Sequence, residues 1–322
     1  MTGVHPGQFV PLAIVSRSGV DESVHFGALV ALDTDGSVAF AMGDPHVEIF
    51  PRSSTKPLQA LAMVRAGLDL PPELLALVCA SHNGEQIHQD TARAILATAG
   101  LDESALRNTP DWPLHAASMR SAIRAGIERS PLQMNCSGKH SGMLATCVLN
   151  DWPIDSYLEQ DHPLQRAITD TIAELTGGEP PAIGVDGCGA PAHVVDLTGL
   201  ARAVRAIATG GAGESGTRIF RAMSGHPHLV AGTGRHNTDI VANVPGLFAK
   251  DGAESVYVAA TEAGHAVVLK LSDGSGRATP TVLLAALDRL GVDVSGVPDS
   301  VRETVHGHGR PVGSVRAVGF GG

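Results

Sequence analysis

The sequence predicts an α+β fold. One antiparallel sheet, built from N- and C-terminal segments, is flanked by helices and has a helical subdomain inserted between the two strand-rich ends. Three observations predict it: short alternating runs before Ser53, helix-periodic segments from Ser53 to about Gly225, and a return to strand-like runs afterwards. On this reading residues 1–52 and 226–322 form a sheet-containing subdomain and residues 53–225 a helical one.

Taken in order, residues 9–16, 25–32 and 37–42 are β-branched or alternating runs separated by Ser-Gly and Asp-Gly turn signals, the pattern of an antiparallel meander. Helical segments are expected at 58–66, 72–80, 86–99, 114–127, 139–149, 163–176, 197–208 and 217–224, with stops at Gly67, Gly100, Gly177 and Gly210 and a start at Pro163. Asp239–Val244, Gly246–Lys250, Ser255–Ala260 and Ala266–Leu271 read as strands, and Pro280–Leu290 as a closing helix. The segment from His306 onward, rich in His, Gly and Arg, reads as a frayed tail. Gly211-Ala212-Gly213-Glu214-Ser215-Gly216 matches G-x-G-x-x-G but follows a helix rather than a strand. That context points to an interhelical loop, not a dinucleotide site.

Composition narrows the function. A net charge of −10 repels phosphate backbones, and 7 Phe, 2 Trp and 2 Tyr give little with which to stack bases, so nucleic acid is excluded as a partner. No apolar run approaches the ~18–20 residues that span a bilayer, and nothing resembles a signal peptide, so no membrane partner and a cytoplasmic location are expected. Cys79, Cys136, Cys147 and Cys188 are too few and too scattered for a disulfide framework. A small soluble substrate fits these properties.

The chemistry gathers around Arg52-Ser53-Ser54-Thr55-Lys56-Pro57, at the head of a helix whose apolar face is Leu58, Leu61, Ala62 and the stem of Arg65. Residues three apart on a helix share a face, so Lys56 is expected to reach back to the Ser53 hydroxyl and serve as its base, the logic of S-x-x-K acyl-transfer enzymes. The plainer alternative makes Ser53 or Ser54 an N-cap. Ser81-His82-Asn83 lies in a Gly-containing break between helices, and Lys250-Asp251-Gly252 lies beside a strand. Ser-x-x-Lys, Ser-x-Asn and Lys-x-Gly in that order follow the pattern of the penicillin-recognising serine enzymes, although Asp251 stands where those carry Thr or Ser. Two further stretches, Met134–Met143 and Gly184–Pro191, each set a cysteine in a glycine-rich bend. Cys136, Lys139 and Cys188 can make a zinc site with His140 and Asp186 nearby; alternatively the cysteines are small buried hydrophobes.

Together, Arg52-Ser53-x-x-Lys56-Pro57-x-Gln59, Cys79-Ala80-Ser81-His82-x-Gly84-Glu85, Asn135-Cys136-Ser137-Gly138-Lys139-His140 and Val185-Asp186-Gly187-Cys188-Gly189 resemble the asparaginase II family of the Rhizobium etli inducible type. The resemblance continues through Gly232-Thr233-Gly234-Arg235, Asp239, Lys250-x-Gly252-Ala253-Glu254 and Leu269–Gly274. It implies a serine β-lactamase-like or penicillin-binding-like fold and hydrolysis of L-asparagine to aspartate and ammonia. It implies two serine–lysine pairs, Ser53 (nucleophile) with Lys56 and Ser81 with Lys250. It also implies one zinc ion on Cys136, Lys139 and Cys188, and a homodimer. Arg52, His82, Glu85, Asp186 and Arg235 are the charged or polar motif residues nearest to hand for the substrate's α-groups. Ser255 departs from the family pattern, where glycine is expected. A glutaminase or other small-molecule amidase or esterase is the competing reading, since one methylene separates the two amides; a non-catalytic zinc- or ligand-binding protein is a third.

Overall fold

The computed structural model describes residues 3–320. Strands β1 (Val10–Arg17), β2 (Val20–Leu32) and β3 (Val38–Met42) form the N-terminal meander, and β4 (Glu48–Ile49) leads into a 3-10 turn at Arg52–Thr55. Six helices follow: α1 (Lys56–Arg65), α2 (Pro72–Val78), α3 (Gln86–Thr98), α4 (Ala116–Arg124), α5 (Ser137–Leu149) and α6 (Pro163–Thr176). Short strands β5 (Ile183–Val185), β6 (Pro191–His193) and β7 (Val195–Asp196) precede α7 (Leu197–Thr209), α8 (Gly213–Gly225), α9 (Pro227–Val230) and α10 (His236–Asn243). The chain then forms β8 (Leu247–Gly252), β9 (Val256–Thr261), β10 (Ala266–Leu271), α11 (Thr279–Arg289), β11 (Thr304–Gly307) and β12 (Arg310–Ala317).

Eight strands make one curled antiparallel sheet in the order β11-β12-β1-β2-β10-β9-β8, with β3 added on β2. The long β2 makes this possible: Val20–Gly27 pair with β1, while Gly27–Leu32 pair with β10 and residues 29–32 with β3. N- and C-terminal segments therefore interleave in one sheet. Alternation then divides its side chains between two cores. Ala28, Val30, Leu32, Val256, Val258 and Ala260 pack under the helices of the middle of the chain, whereas Leu29, Ala31, Tyr257, Ala259, Val267 and Leu269 pack against α10 and α11. Central strands buried on both faces explain why these runs are almost wholly apolar.

Two segments differ from the sequence expectation. Asp239–Val244 is not a strand but the end of α10 and its exit. Asn237, Ile240, Val241 and Val244 are all buried, an i, i+3, i+4, i+7 set, so a helical period was present beneath the short apolar run. The segment from His306 is likewise not frayed through its described residues: β11 and β12 form a hairpin whose β12 pairs with β1, and residues 321–322 lie outside the described residues. The turn His308-Gly309 has φ of 49° and 75°, the two left-handed positions of a type I′ hairpin. Its polar composition reflects an exposed sheet edge rather than disorder. The G-x-G-x-x-G stretch joins α7 to α8, as its helical context indicated. Among the described residues no helix is long and apolar enough to cross a membrane.

The helices that position the site pack at glycine. At the head of α5, a Cβ on Gly138 would lie 2.3 Å from Leu77 O and 2.6 Å from Leu77 Cγ, so α5 meets the end of α2 backbone to backbone. Gly138→Ala should therefore destabilise the fold by about 1–3 kcal/mol through overpacking. Gly225→Ala, where nothing lies within 4 Å of the added methyl, should leave stability nearly unchanged. Chemical denaturation of both variants checks the contrast, and equal effects would refute this packing account.

Candidate active site

The turn that carries Ser53 is conformationally costly. Arg52 has φ 55°, a left-handed conformation that a non-glycine residue adopts only under constraint. The constraint is visible: the Arg52 guanidinium contacts Asp186 Oδ1 at 2.7 Å, and Asp186 also receives the Gly187 N–H at 2.8 Å. On the other side, β8 presses against the turn. A Cβ on Gly252 would stand 2.4 Å from Pro51 O and 2.7 Å from Ser54 Oγ, so Lys250-x-Gly252 needs its glycine for this approach. Ser54 Oγ donates to Lys250 O at 3.4 Å.

Lys56, only 1% exposed, does not turn back to Ser53. Its Nζ donates to Ala80 O at 2.5 Å, to Ser81 Oγ at 2.9 Å and to Cys136 Sγ at 3.2 Å. Ser53 precedes α1 in a 3-10 turn, and the free carbonyl just beyond α2 offers the ammonium a strong acceptor; side-chain geometry within one helix did not decide the partner. The serine–lysine pair formed by hydrogen bonding is thus Ser81–Lys56. Lys250 is not bonded to Ser81 either. Its buried Nζ donates to Asp251 O at 2.5 Å and Asp251 Oδ1 at 2.8 Å, and Arg235 binds Asp251 Oδ2. Asp251, in the position where the sequence reading noted a departure, anchors both cations. Arg235 continues the chain to Asn83 Oδ1 at 3.4 Å.

The Ser81–Glu85 segment is laced down by Ser81 N–H to Val230 O, His82 N–H to Asn135 O and Asn83 N–H to Ala231 O. Glu85 accepts from Thr233 N–H at 3.0 Å and from Asn83 Nδ2 at 3.3 Å. His82 does not face an open site: it is fully buried, accepts the Gly84 N–H at Nδ1 and meets Ser137 Oγ through Nε2 at 2.9 Å. Burial, then His88 and Lys56, keeps its pKa well below the usual histidine value, so it is a neutral brace. Ser81, Asn83 and Thr233 thus depend on one another for position. The participation of Asp251 and Asn83 escaped the sequence assignment, though both stand within motifs that it singled out.

The second cluster lies one contact away. Cys136 joins Lys56 to Cys188, and Lys139 Nζ meets Cys188 Sγ at 3.2 Å. The hydrogen bond from Cys136, against the opposing effect of burial, and the Lys139 ammonium hold the Cys188 thiol well below its ordinary range. Cys136 correspondingly remains a thiol, raised by Cys188 and by burial. Burial depresses Lys139, but Cys188, Cys136 and Asp186 outweigh it and hold its pKa above the usual lysine value. His140 stands beside them with its pKa pushed down to about 4 by burial and Lys139; Nδ1 meets Tyr157 OH at 2.8 Å, while its buried Nε2 has no hydrogen-bond partner. Two sulfurs and an unpartnered imidazole nitrogen are donors suited to zinc, and Lys139 would join them only on giving up its proton to make room for the metal's charge. Glu85, His88 and His228 form another group with ligand atoms within 4.8 Å, which the sequence reading missed. There His88 is already committed, taking Glu85 N–H at Nδ1 and meeting His228 O through Nε2.

Similar solved structures include a β-lactamase from Mycobacterium bovis (16% identity, 82% of this chain and 94% of that one, TM-score 0.47). Others are Mglu in its tris and glutamate form (14%, 82% and 59%, 0.45) and SurE with D-Leu (17%, 83% and 72%, 0.41). No curated protein matches the chain. The L-asparaginase II family matches residues 13–317, and the chain belongs to that family. Membership supports an asparaginase or related amidohydrolase role.

The buried Lys250 gives a pH test. Burial, reinforced by Lys56 and opposed by Asp251, lowers its pKa to about 8, against ~10.4 in an unfolded chain. Below pH 8 both states hold the proton and Lys250 adds no pH dependence. Between ~8 and ~10.4 the unfolded chain binds more protons, so folding stability gains from Lys250 as pH rises. The wild-type unfolding free energy should gain roughly 2–4 kcal/mol over Lys250→Met across that window. Parallel denaturation curves for the two proteins would contradict the assignment.

Proposed function

We propose that the protein hydrolyses L-asparagine to L-aspartate and ammonia through a serine acyl-enzyme. The observation that carries this reading is the buried Lys56 ammonium bonded to Ser81 Oγ at the head of the helix that Ser53 precedes, in a chain of the asparaginase II family. Ser53 is half-buried whereas Ser81 is 4% exposed, so Ser53 is the more accessible nucleophile. Its Oγ attacks the side-chain amide carbon, the C–N bond breaks, and the nitrogen leaves as ammonia after receiving a proton. The Ser53 hydroxyl proton passes to Ser81 Oγ as the Ser81 hydroxyl proton passes to the departing nitrogen, and the Lys56 ammonium, donating to Ser81 Oγ, stabilises the charge on that oxygen during the exchange. Water then attacks the ester, and the same groups return the proton to Ser53. Arg235, held between Asn83 and Asp251, and Arg52, held by Asp186, are the cations for the substrate's carboxylate; Glu85 and Asp186 are the nearest carboxylates for its ammonium.

Ammonia release should be at least ~10-fold faster in kcat/KM for L-asparagine than for L-glutamine, the discrimination one methylene supports. Lys56→Ala should lower kcat by about 10²–10⁴. Equal kcat/KM for the two amides would leave a general amidase, and full activity in Lys56→Ala would end the serine–lysine reading.

A second reading takes Ser81 as the nucleophile, because it is the serine bonded to lysine. Pre-steady-state kinetics distinguish the two. On the first reading Ser53→Ala loses the acylation burst and Ser81→Ala retains a slow one; on the second the variants exchange behaviour.

Cys136, Lys139 and Cys188 are the residues that would hold the zinc ion implied by the family resemblance, with His140 and Asp186 beside them. Bound there, zinc supplies positive charge and Lewis acidity next to Arg52 and Lys56. Elemental analysis after zinc-replete purification should give one zinc per chain in wild type and far less in Cys188→Ala. Equal metal in both proteins, or none in either, would count against the site.

A further inference from the structure

Behind the edge strand β8, on the face packed by α10, lies a small, partly open cavity of about 120 Å³; it shares Arg235 and Asp251 with the proposed substrate site, but its Asn237, Ser255 and Tyr257 have no part in the proposed reaction. Arg235, Asn237, Asp251, Ser255 and Tyr257 line it, and exposed His236 stands at its edge. Two of these residues carry buried polar atoms without a partner. Asn237, 2% exposed, has its Oδ1 occupied by the Tyr257 hydroxyl at 3.1 Å, which leaves Nδ2 with nothing to donate to. Ser255, 4% exposed, has a hydroxyl with no partner at all. Leaving two such groups unpaired is destabilising, and Ser255 adds strain of its own at φ 57°. A site that accumulates these costs in one small cavity is suited to an occupant that repays them.

We infer that this cavity binds a small inorganic anion of the halide or nitrate class. The unpaired Asn237 group is an N–H donor, which repels a cation and calls for an acceptor. Asp251 offers a cation little, because one carboxylate oxygen is bound to Lys250 and the other to Arg235. Of the lining residues, Arg235 and Asp251 carry opposite charges, and the Lys250 ammonium, bonded to Asp251 from outside the lining, adds a further positive charge. The other carboxylates acting at this end of α10 are half-buried Asp239 and exposed Glu303, which reach His236 at the rim where water screens them. Asn237 Nδ2 and the Ser255 hydroxyl are the donors for the anion, and the Arg235 guanidinium contributes positive charge beside them. The small volume excludes bulky organic anions.

The test compares sodium bromide and sodium chloride with sodium gluconate at constant ionic strength, using the intact protein. Bromide and chloride should raise Tm saturably by about 2 °C or more over gluconate. Crystals grown without halide and soaked in bromide should show an anomalous peak beside Asn237 and Ser255. Asn237→Leu and Ser255→Gly should both abolish the halide-specific rise. Ser255→Gly relieves the left-handed strain, so it keeps the test open should Asn237→Leu not fold. An equal response to all three salts, a halide response unchanged in Ser255→Gly, or ordered water in place of bromide would each overturn the assignment.

Discussion

The site depends on one buried ammonium. Lys56 Nζ is shared among Ala80 O, Ser81 Oγ and Cys136 Sγ, acceptors that come from two segments other than its own helix. Ala80 and Ser81 follow α2, Cys136 precedes α5, and Lys56 opens α1 immediately after the Ser53 turn. A charged amine taken out of water must find several strong acceptors, and satisfying it fixes the mutual placement of these three segments. The close backbone contact at Gly138 and the glycine at 252 serve the same end, because side chains there would push α5 and β8 away from the lysine and its serine turn.

Among the described residues Lys56 is one of three lysines at most 1% exposed, and the other two find partners of a different kind. Lys139 faces the Cys188 sulfur, while Lys250 faces the carboxylate of its own neighbour Asp251. Distinct partners separate their acid–base character: the thiolate raises Lys139 above the ordinary value, whereas burial with the Lys56 charge nearby takes Lys250 to about 8. Arg52 and Arg235 extend these networks toward the Ser53 turn and the Asn83 loop, each through one carboxylate, Asp186 or Asp251. Such a division gives one small region both cations that stay charged and a lysine able to exchange a proton near physiological pH.

Much of this was legible in the sequence because it is written locally. The meander, the central strands and most helices follow from period, turn residues and glycine stops, and the cysteine- and serine-bearing blocks are long enough to mark a family. What was not legible depends on contact between distant segments. Ser53 and Lys56 are close in sequence, yet the acceptor that wins Lys56 comes from beyond another helix; Lys250 likewise binds its neighbour rather than Ser81. His82 looked like a site residue from its motif, but burial makes it a brace. The α10 segment was short enough to satisfy strand alternation and helical period at once, and the hairpin at His306 was hidden by its edge-strand polarity. Ser255 was noticed as out of pattern, and its positive φ gives the physical reason that glycine suits the position.

The central claim is that Lys56 and Ser81 form a proton-handling pair serving a nucleophile at Ser53. Rapid acid quench during asparagine turnover, followed by proteolysis and mass spectrometry, measures it most directly by locating the aspartyl adduct. The account predicts the adduct on the peptide containing Ser53, with its amount increased in Ser81→Ala by slowed deacylation. An adduct on the peptide containing Ser81, or turnover that leaves neither serine modified, would contradict it.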